Sequence, residues 1–180
     1  SGDGFFTLPT VYINLKRLFP LVEFSEKDVN SKIVSYNENE KKKISQFYES
    51  IFGKTSFKNF DTYEAKMGKI NKNPIGPGGT DAEYDINSIS SGEDNLSSFI
   101  QTLLSFERVK EKQTDSDLLT GLLAIDEFES SLHPIAQLNL FEYLLDWSRK
   151  NNVQIILNTH SLFLIESVLK KYKDIINKEI

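Results

Sequence analysis

Three carboxylates stand directly after an apolar stretch. Leu118–Ile125 is the stretch, and Asp126, Glu127 and Glu129 follow it. Acidic side chains at the tip of a buried strand are costly unless an opposing group compensates them. An aspartate followed by a glutamate suits metal-assisted phosphate chemistry, because the aspartate can hold Mg²⁺, directly or through water, and the glutamate can polarise an attacking water. The alternative is that both acids cap the next helix.

A second pair of polar residues follows a second apolar stretch. Val153–Asn158 (VQIILN) is a predicted strand, and Thr159 and His160 come directly after it. Ligands of open α/β sheets bind beyond the carboxyl ends of the strands, which meet at one edge. We therefore expect His160 to lie near Asp126 and Glu127 and to contact the phosphoryl group that is transferred. Outside such a setting, a histidine would ordinarily be structural or solvent-exposed.

A third candidate lies upstream, in the small-residue loop Ser88–Glu93. An amphipathic helix is predicted directly after it, over residues 94–110. A Ser-Ser-Gly segment at a helix start, here Ser90, Ser91 and Gly92, offers hydroxyl and backbone N–H groups to an anion, and the helix dipole adds to the attraction. The alternative is that Ser90 is an ordinary N-cap.

Apolar periodicity predicts the elements that must position these residues. Strands are predicted over 10–14, 60–70, 82–86, 118–125 and 153–158, and helices over 25–53, 94–110, 134–150 and 162–172. The turn-rich segment NKNPIGPGGTD is predicted to be a loop. Uninterrupted apolar strands that alternate with helices predict an α/β fold, with a parallel core sheet covered by helices on both faces and an N-terminal strand and helix portion.

Composition excludes several classes of protein. The 180 residues are 39% hydrophobic and carry a net charge of −5, which fits one globular domain and does not indicate nucleic-acid binding, although a local basic patch stays open. The chain has no cysteine and 2 histidines, so we expect neither disulfides nor a zinc cluster. No stretch is long enough to span a membrane and no signal peptide is visible, so a soluble cytoplasmic protein is expected.

In this order, the motifs resemble those of the ATP-binding cassette (ABC) ATPases. ISSGE (Ile89–Glu93) resembles their LSGGQ signature, LLAIDE (Leu122–Glu127) resembles Walker B, SSLH (Ser130–His133) stands in the place of the D-loop, and NTHS (Asn158–Ser161) resembles the switch-histidine loop. The LHP and GED sequences are more similar to SMC-type and OLD-type ATPases, and to ATPases of bacterial anti-phage systems such as Septu. The resemblance covers about Asp85–Val168 and implies a P-loop NTPase fold.

The resemblance implies ATP and Mg²⁺ as cofactors and a role for each matching residue. Asp126 would support Mg²⁺, Glu127 would be the general base for water, and His160 would sense the γ-phosphate. In the resembled family two heads sandwich two ATP molecules, so the protein would form a homodimer or a higher oligomer. The residues that would act across this interface are Ser90, Ser91, Gly92 and Glu93, which would bind the ATP of the second subunit, and Ser131, which would line the interface. Glu129 has no counterpart role and is expected to be a solvent-facing or interface acid.

The phosphate-binding sequence GxxxxGK[ST] of Walker A does not occur in these 180 residues. The nearest candidate, Gly53-Lys54-Thr55, follows an amphipathic helix and is predicted to be a helix C-cap. In the resembled family this loop lies upstream, so we expect residues 1–180 to be part of an ABC-type ATPase domain. Residues 1–87 would supply middle strands and a helical insertion, and residues 88–180 the signature, Walker B, D-loop and switch-histidine core. The alternative is a chain that has lost the loop and does not hydrolyse ATP by itself.

Two rival functions stay open. A metal nuclease of the Toprim type also uses acids at strand ends, but it favours a DxD pair, and Phe128 stands two residues after Asp126. A non-hydrolysing module could bind nucleotide only to assemble. Effector or nuclease activity would lie elsewhere or in a partner, because no effector motif is visible. DNA handling, transport and anti-phage defence all stay open as the use of the ATP cycle, although no transporter-like coupling helix is recognisable.

Overall fold

The structure is a computed structural model that describes residues 7–15, 29–31, 36–53, 57–67, 69–77, 89–115 and 117–176. Its elements, in chain order, are β1 (Thr10–Asn14), β2 (Val29–Ser31), α1 (Glu38–Phe52), β3 (Phe60–Met67), β4 (Ile70–Lys72), β5 (Ile75–Pro77), α2 (Ser91–Lys110), β6 (Gly121–Asp126), α3 (Pro134–Asn151), β7 (Val153–Leu157) and α4 (Leu162–Ile176). Among the helices in these ranges, none is long and apolar enough to cross a membrane.

A parallel sheet of three strands, in the order β1-β6-β7, forms the centre of the fold. Asn14 is paired with Asp126, and Ile125 with Leu157, so all three strands end at the same edge. The helix α3 makes the crossover between the parallel strands β6 and β7, as parallel pairing requires. The predicted α/β class with a parallel core sheet flanked by helices is confirmed.

The two faces of this sheet differ in burial. Ile13, Leu123 and Ile125 lie on one face and join the hydrophobic core. On the other face, Tyr12 and Ile156 stand in register with Ala124 between them, and their side chains are 60% and 54% exposed. The expectation that both faces are covered is therefore wrong for the described part of the chain.

A second, antiparallel sheet is built around β3, which pairs with β2, β4 and β5. The single strand predicted over 60–70 is in fact β3 followed by a turn into β4. The predicted loop after Ile70 contains β5, which pairs with the start of β3. Strands of three residues are too short to show an alternating pattern, and this explains both errors. The strand predicted over 82–86 lies outside the described residues.

The helix α1 starts later than the predicted helix 25–53. Asn37 caps it: the Asn37 side chain accepts from the Glu40 N–H at 2.9 Å, and the Glu40 carboxylate accepts from the Asn37 N–H at 3.0 Å. This reciprocal capping box fixes the first turn. The helix ends at Gly53 in the left-handed conformation, as predicted. Val29–Ser31 is a strand, so the first part of the helix prediction is wrong there.

Aromatic residues of α3 pack against aromatic residues of α1 and α2. Tyr143 packs edge-on against Phe47 with 5.0 Å between ring centroids, and Trp147 packs against Phe106 with 6.2 Å. The Trp147 indole N–H also donates to Glu107 at 2.8 Å, so its polar atom has a partner inside the contact. These contacts fix α3 on α1 and α2, and α3 leads from β6 to β7 at the sheet edge.

Candidate nucleotide site at the ends of the parallel strands

The Asp126 carboxylate, at the end of β6, accepts hydrogen bonds from side chains of both neighbouring strands, β1 and β7. From β1, the Tyr12 hydroxyl donates to Oδ2 at 2.8 Å and the Asn14 amide donates to the same oxygen at 2.7 Å. From the end of β7, the Asn158 amide donates to Oδ1 at 2.8 Å. The Glu127 backbone N–H reaches Oδ1 at 3.1 Å. The carboxylate therefore has one fixed orientation at the edge where the strands end.

These hydrogen bonds stabilise the ionised form of Asp126. They lower the pKa of its carboxyl group, with the bond from Asn158 contributing most and the bond from Tyr12 next, and they outweigh the opposing effect of desolvation. Neutral donors thus compensate the acid at the strand tip. Sequence analysis did not single out Tyr12 and Asn14; the available signal was that these polar side chains stand near the end of the strand predicted over 10–14.

Glu127 follows at a sharp change of backbone direction. Its φ is 54°, in the left-handed region that side-chain-bearing residues rarely adopt and that is enriched at functional sites. Phe128 is fully buried and anchors the turn, and its N–H donates to the Asn158 carbonyl at 3.2 Å. The Glu127 carbonyl accepts from the Ser130 N–H at 2.8 Å. The half-buried Glu127 is therefore fixed beside Asp126 by its backbone.

Glu129 joins the turn after β6 to the loop after β7, a role that differs from the expected solvent-facing or interface acid. Its Oε2 accepts from the Thr159 hydroxyl at 2.6 Å, and its Oε1 accepts from the His160 backbone N–H at 3.0 Å. Burial opposes ionisation of Glu129, but these hydrogen bonds prevail, and the pKa of the carboxyl group is lowered. Glu129 thus joins the loop that carries His160 to the turn that carries Glu127, and the His160 residue is exposed. The approach of the His160 imidazole to Asp126 and Glu127 stays a prediction.

The ISSGE segment forms the start of α2. Ser90 is the N-cap: its hydroxyl accepts from the Glu93 N–H at 3.2 Å, and the Glu93 carboxylate accepts from the Ser90 N–H at 2.8 Å. Glu93 is only 5% exposed, whereas Ser90 is exposed and Ser91 half-buried. The N-cap alternative is confirmed as a structural role, and the helix starts three residues earlier than predicted because of it. Contact of these residues with a nucleotide stays a prediction.

The ISSGE and SSLH segments lie against each other within the same chain. A Cβ placed on Gly92 would lie 2.6 Å from the Ser131 carbonyl oxygen and 3.3 Å from Leu132 Cδ2, so only glycine fits at this position without a shift. Ser131 has a φ of 65° and is exposed. This contact places Ser131 beside the first turn of α2, and its place in a dimer interface stays a prediction.

Tyr48 and Lys72, from other parts of the chain, hold the first two turns of α2. The buried Tyr48 hydroxyl donates to the Glu93 carbonyl at 3.2 Å and shares a hydrogen bond of 3.1 Å with Ser97. Lys72, on β4, forms an ion pair with Asp94, whose side chain is 1% exposed. Removing either partner of such an ion pair would destabilise the protein, because the remaining charge would be buried without a partner. The second sheet and α1 therefore fix the site segment on α2.

Asp126 is suited to bind a divalent cation. Mg²⁺ is commonly bound by one or two carboxylates, with phosphate and water oxygens completing its shell. Asp126 supplies one ionised, oriented carboxylate at a strand end. Within the described ranges, no group of three or more His, Cys, Asp or Glu side chains could hold a metal ion. A single carboxylate of this kind fits a cation that takes its other ligands from phosphate and water, and Mg²⁺ at Asp126 stays a proposal.

Comparison with known families identifies the class of this domain. The AAA ATPase domain family, a P-loop NTPase family, matches residues 13–165, which is more than half of the chain. The chain therefore belongs to the AAA ATPase domain family. No curated protein and no solved structure gave a significant match. The matched range includes the end of β1 from Ile13 onward, the ISSGE segment, β6 and the loop after β7, whereas Tyr12 lies just before it.

Proposed function

We propose that this domain takes part in Mg²⁺-dependent hydrolysis of ATP, with Asp126 as the residue that holds the metal. The observation that carries the proposal is the Asp126 carboxylate itself, ionised and oriented by donors from both neighbouring strands at the edge where ligands of such sheets bind. Mg²⁺, when bound, neutralises and orients the phosphate oxygens of the nucleotide. Membership of the AAA ATPase domain family supports this chemistry.

Glu127 and His160 are the proposed reacting neighbours. Glu127 is the general base: it directly follows Asp126, is half-buried, and sits in a turn that buried Phe128 anchors. A positioned carboxylate of this kind accepts the proton of an attacking water. His160 is exposed at the adjacent strand end, where it is proposed to contact the γ-phosphate. Both lie beyond the carboxyl ends of parallel strands.

The dimeric part of the proposal rests on a separate surface. Ser90 to Glu93 and Ser131 lie together because Gly92 packs against the Ser131 carbonyl. Ser90 and Ser131 are both exposed, so this surface of one copy is proposed to complete the ATP site of a second copy, as in ABC, SMC and OLD ATPases. The ATP cycle is proposed to drive a partner effector, in anti-phage defence of the Septu kind or in DNA handling.

The substitution Glu127→Gln in the full-length protein tests the proposal. It removes the proton acceptor while keeping the size of the side chain, so turnover should fall by about 10²–10⁴-fold. ATP binding should persist, and an ATP-bound dimer should accumulate in light scattering. The matched control is Glu111→Gln, at an exposed residue just after α2, which should leave turnover unchanged. Unchanged turnover in Glu127→Gln would refute the base assignment. If the wild type dimerises with nucleotide but does not hydrolyse it, the non-hydrolysing assembly module would be favoured.

A further inference from the structure

Both carboxylate oxygens of Glu129 accept hydrogen bonds from two consecutive residues of the loop after β7. The Thr159 hydroxyl donates to Oε2 at 2.6 Å and the His160 N–H donates to Oε1 at 3.0 Å. An ionised carboxylate only accepts hydrogen bonds, so it also fixes the direction in which the Thr159 hydroxyl points. Glu129 is half-buried, which places these charge-assisted bonds where they are stronger than at an open surface.

These bonds begin where the backbone pairing of the sheet ends. The Asn158 N–H donates to the Ile125 carbonyl at 2.8 Å, and the Phe128 N–H donates to the Asn158 carbonyl at 3.2 Å. Beyond Asn158, the hydrogen bonds of Glu129 connect the turn after β6 to the loop after β7. The last residue of the loop that it reaches directly is His160.

The bonds continue from Glu129 to the start of α4. The Thr159 Oγ1 atom, whose hydrogen points to Glu129, accepts from the Ser161 N–H at 3.1 Å. The Ser161 Oγ atom in turn accepts from the Leu164 N–H at 3.3 Å, in the first turn of α4. One carboxylate in the turn after β6 therefore begins a chain of hydrogen bonds that runs through Thr159 and Ser161 to the first turn of α4.

We infer that Glu129 is a positioning residue that holds His160 in place for its contact with the γ-phosphate, an inference that rests on the proposed function. Glu129 lies two residues after the proposed base, so one short turn sets both the base and, through the loop, the histidine. The lowered pKa of Glu129 keeps it an acceptor at neutral pH. Loss of the bond to Oε1 would release the His160 backbone N–H without removing the imidazole.

The first test is independent of ATP turnover. Glu129→Gln preserves the size of the side chain, but its amide group offers one acceptor oxygen where the carboxylate offers two. Hydrogen exchange at the His160 amide should become at least about tenfold faster in the full-length variant, because its hydrogen bond is weakened or lost. The control is Glu142→Gln, which removes a surface ion pair with Lys171 and should leave exchange at His160 unchanged. Unchanged exchange in Glu129→Gln would overturn the inference even if the protein lacks ATPase activity.

The second test asks whether Glu129 acts through His160. Glu129→Gln should lower kcat by about 10- to 100-fold with little change in ATP affinity, as is typical of residues that orient a reacting group. Thr159→Val, which removes the hydroxyl donor at similar size, should lower kcat in the same direction. In the His160→Ala background, Glu129→Gln should cause no further loss, because coupled residues are non-additive. An additive loss would overturn the positioning role, whereas normal turnover in His160→Ala alone would refute the proposed function of His160.

Discussion

The Asn158 side chain donates a hydrogen bond to Asp126 Oδ1 at 2.8 Å, while the Asn158 backbone N–H donates to the Ile125 carbonyl at 2.8 Å. One residue at the end of β7 therefore fixes both the last backbone pairing of β6 and the carboxylate that follows it. The parallel sheet thereby orients Asp126 before any ligand arrives. Such preorganisation lowers the cost of binding a charged ligand at this edge.

The Tyr12 hydroxyl is one of the donors that favour the ionised form of Asp126. In Tyr12→Phe the bond to Oδ2 is lost, so the pKa of the Asp126 carboxyl group should rise toward its ordinary value. Carboxyl-carbon NMR titration of the variant and the wild type measures this shift. Tyr63→Phe, on β3, is the control and should leave the Asp126 titration in place. An unchanged or lower pKa in Tyr12→Phe would contradict the role of this bond.

The same shift sets a direction for stability as pH changes. Because the pKa of Asp126 is lower in the folded state, its hydrogen bonds contribute stability above the unfolded-state pKa, and this contribution is lost as pH falls through the folded-state pKa. Since the folded-state pKa of Asp126 is higher in Tyr12→Phe, this loss should be complete at a higher pH than in the wild type. Thermal unfolding followed across the acidic range would measure it.

Gly92 should not tolerate alanine, although it lies in a helix. Alanine normally stabilises a helix interior by about 0.5–1 kcal/mol relative to glycine. Here the added Cβ would lie 2.6 Å from the Ser131 carbonyl oxygen, and a clash with backbone costs about 1–3 kcal/mol. Gly92→Ala should therefore lower the free energy of unfolding in denaturant titrations. Ser98→Ala, a half-buried position on the same helix, is the control and should have a smaller effect. A stabilised Gly92→Ala would contradict the close contact.

The capping role of Ser90 can be separated from its proposed contact with nucleotide. Asparagine is an equally good N-cap, so Ser90→Asn should keep the stability of the protein, whereas Ser90→Ala should lose about 1 kcal/mol. The bulkier asparagine should nevertheless abolish ATP turnover of the full-length protein without weakening ATP binding to the same subunit. Thermal unfolding, ATP binding and turnover would be measured on each variant. A parallel fall of binding and turnover would contradict a role across the dimer interface.

The sequence was sufficient for the parts of the fold whose patterns are long or uninterrupted. Residues 10–14, 153–157 and the helix after Pro134 were predicted within about one residue, because apolar runs and a proline at the first helical position are strong local signals. The positions of Asp126, Glu127 and His160 at neighbouring strand ends followed from the parallel order. The short strands of the second sheet gave no such signal.

The contacts that define the site could not be predicted from local sequence. Tyr12 and Asn14 reach Asp126 across 114 and 112 residues, so their role depends on the strand order β1-β6-β7, which periodicity does not reveal. Glu129 lies two residues after the LLAIDE segment. Its partners lie about thirty residues further on, in a loop whose conformation only the structure shows. The sequence pattern predicts local structure, but it does not show which distant segments pair with each other.

A titration of ATP turnover with Mg²⁺ in Asp126→Asn tests most directly whether this carboxylate holds the metal. The full-length variant keeps the size of the side chain but loses the charge that a divalent cation requires. The half-saturating Mg²⁺ concentration should rise by at least about tenfold, while Asp146→Asn, at an exposed residue of α3, should respond as the wild type does. An Asp126→Asn variant with the Mg²⁺ response and turnover of the wild type would contradict the account.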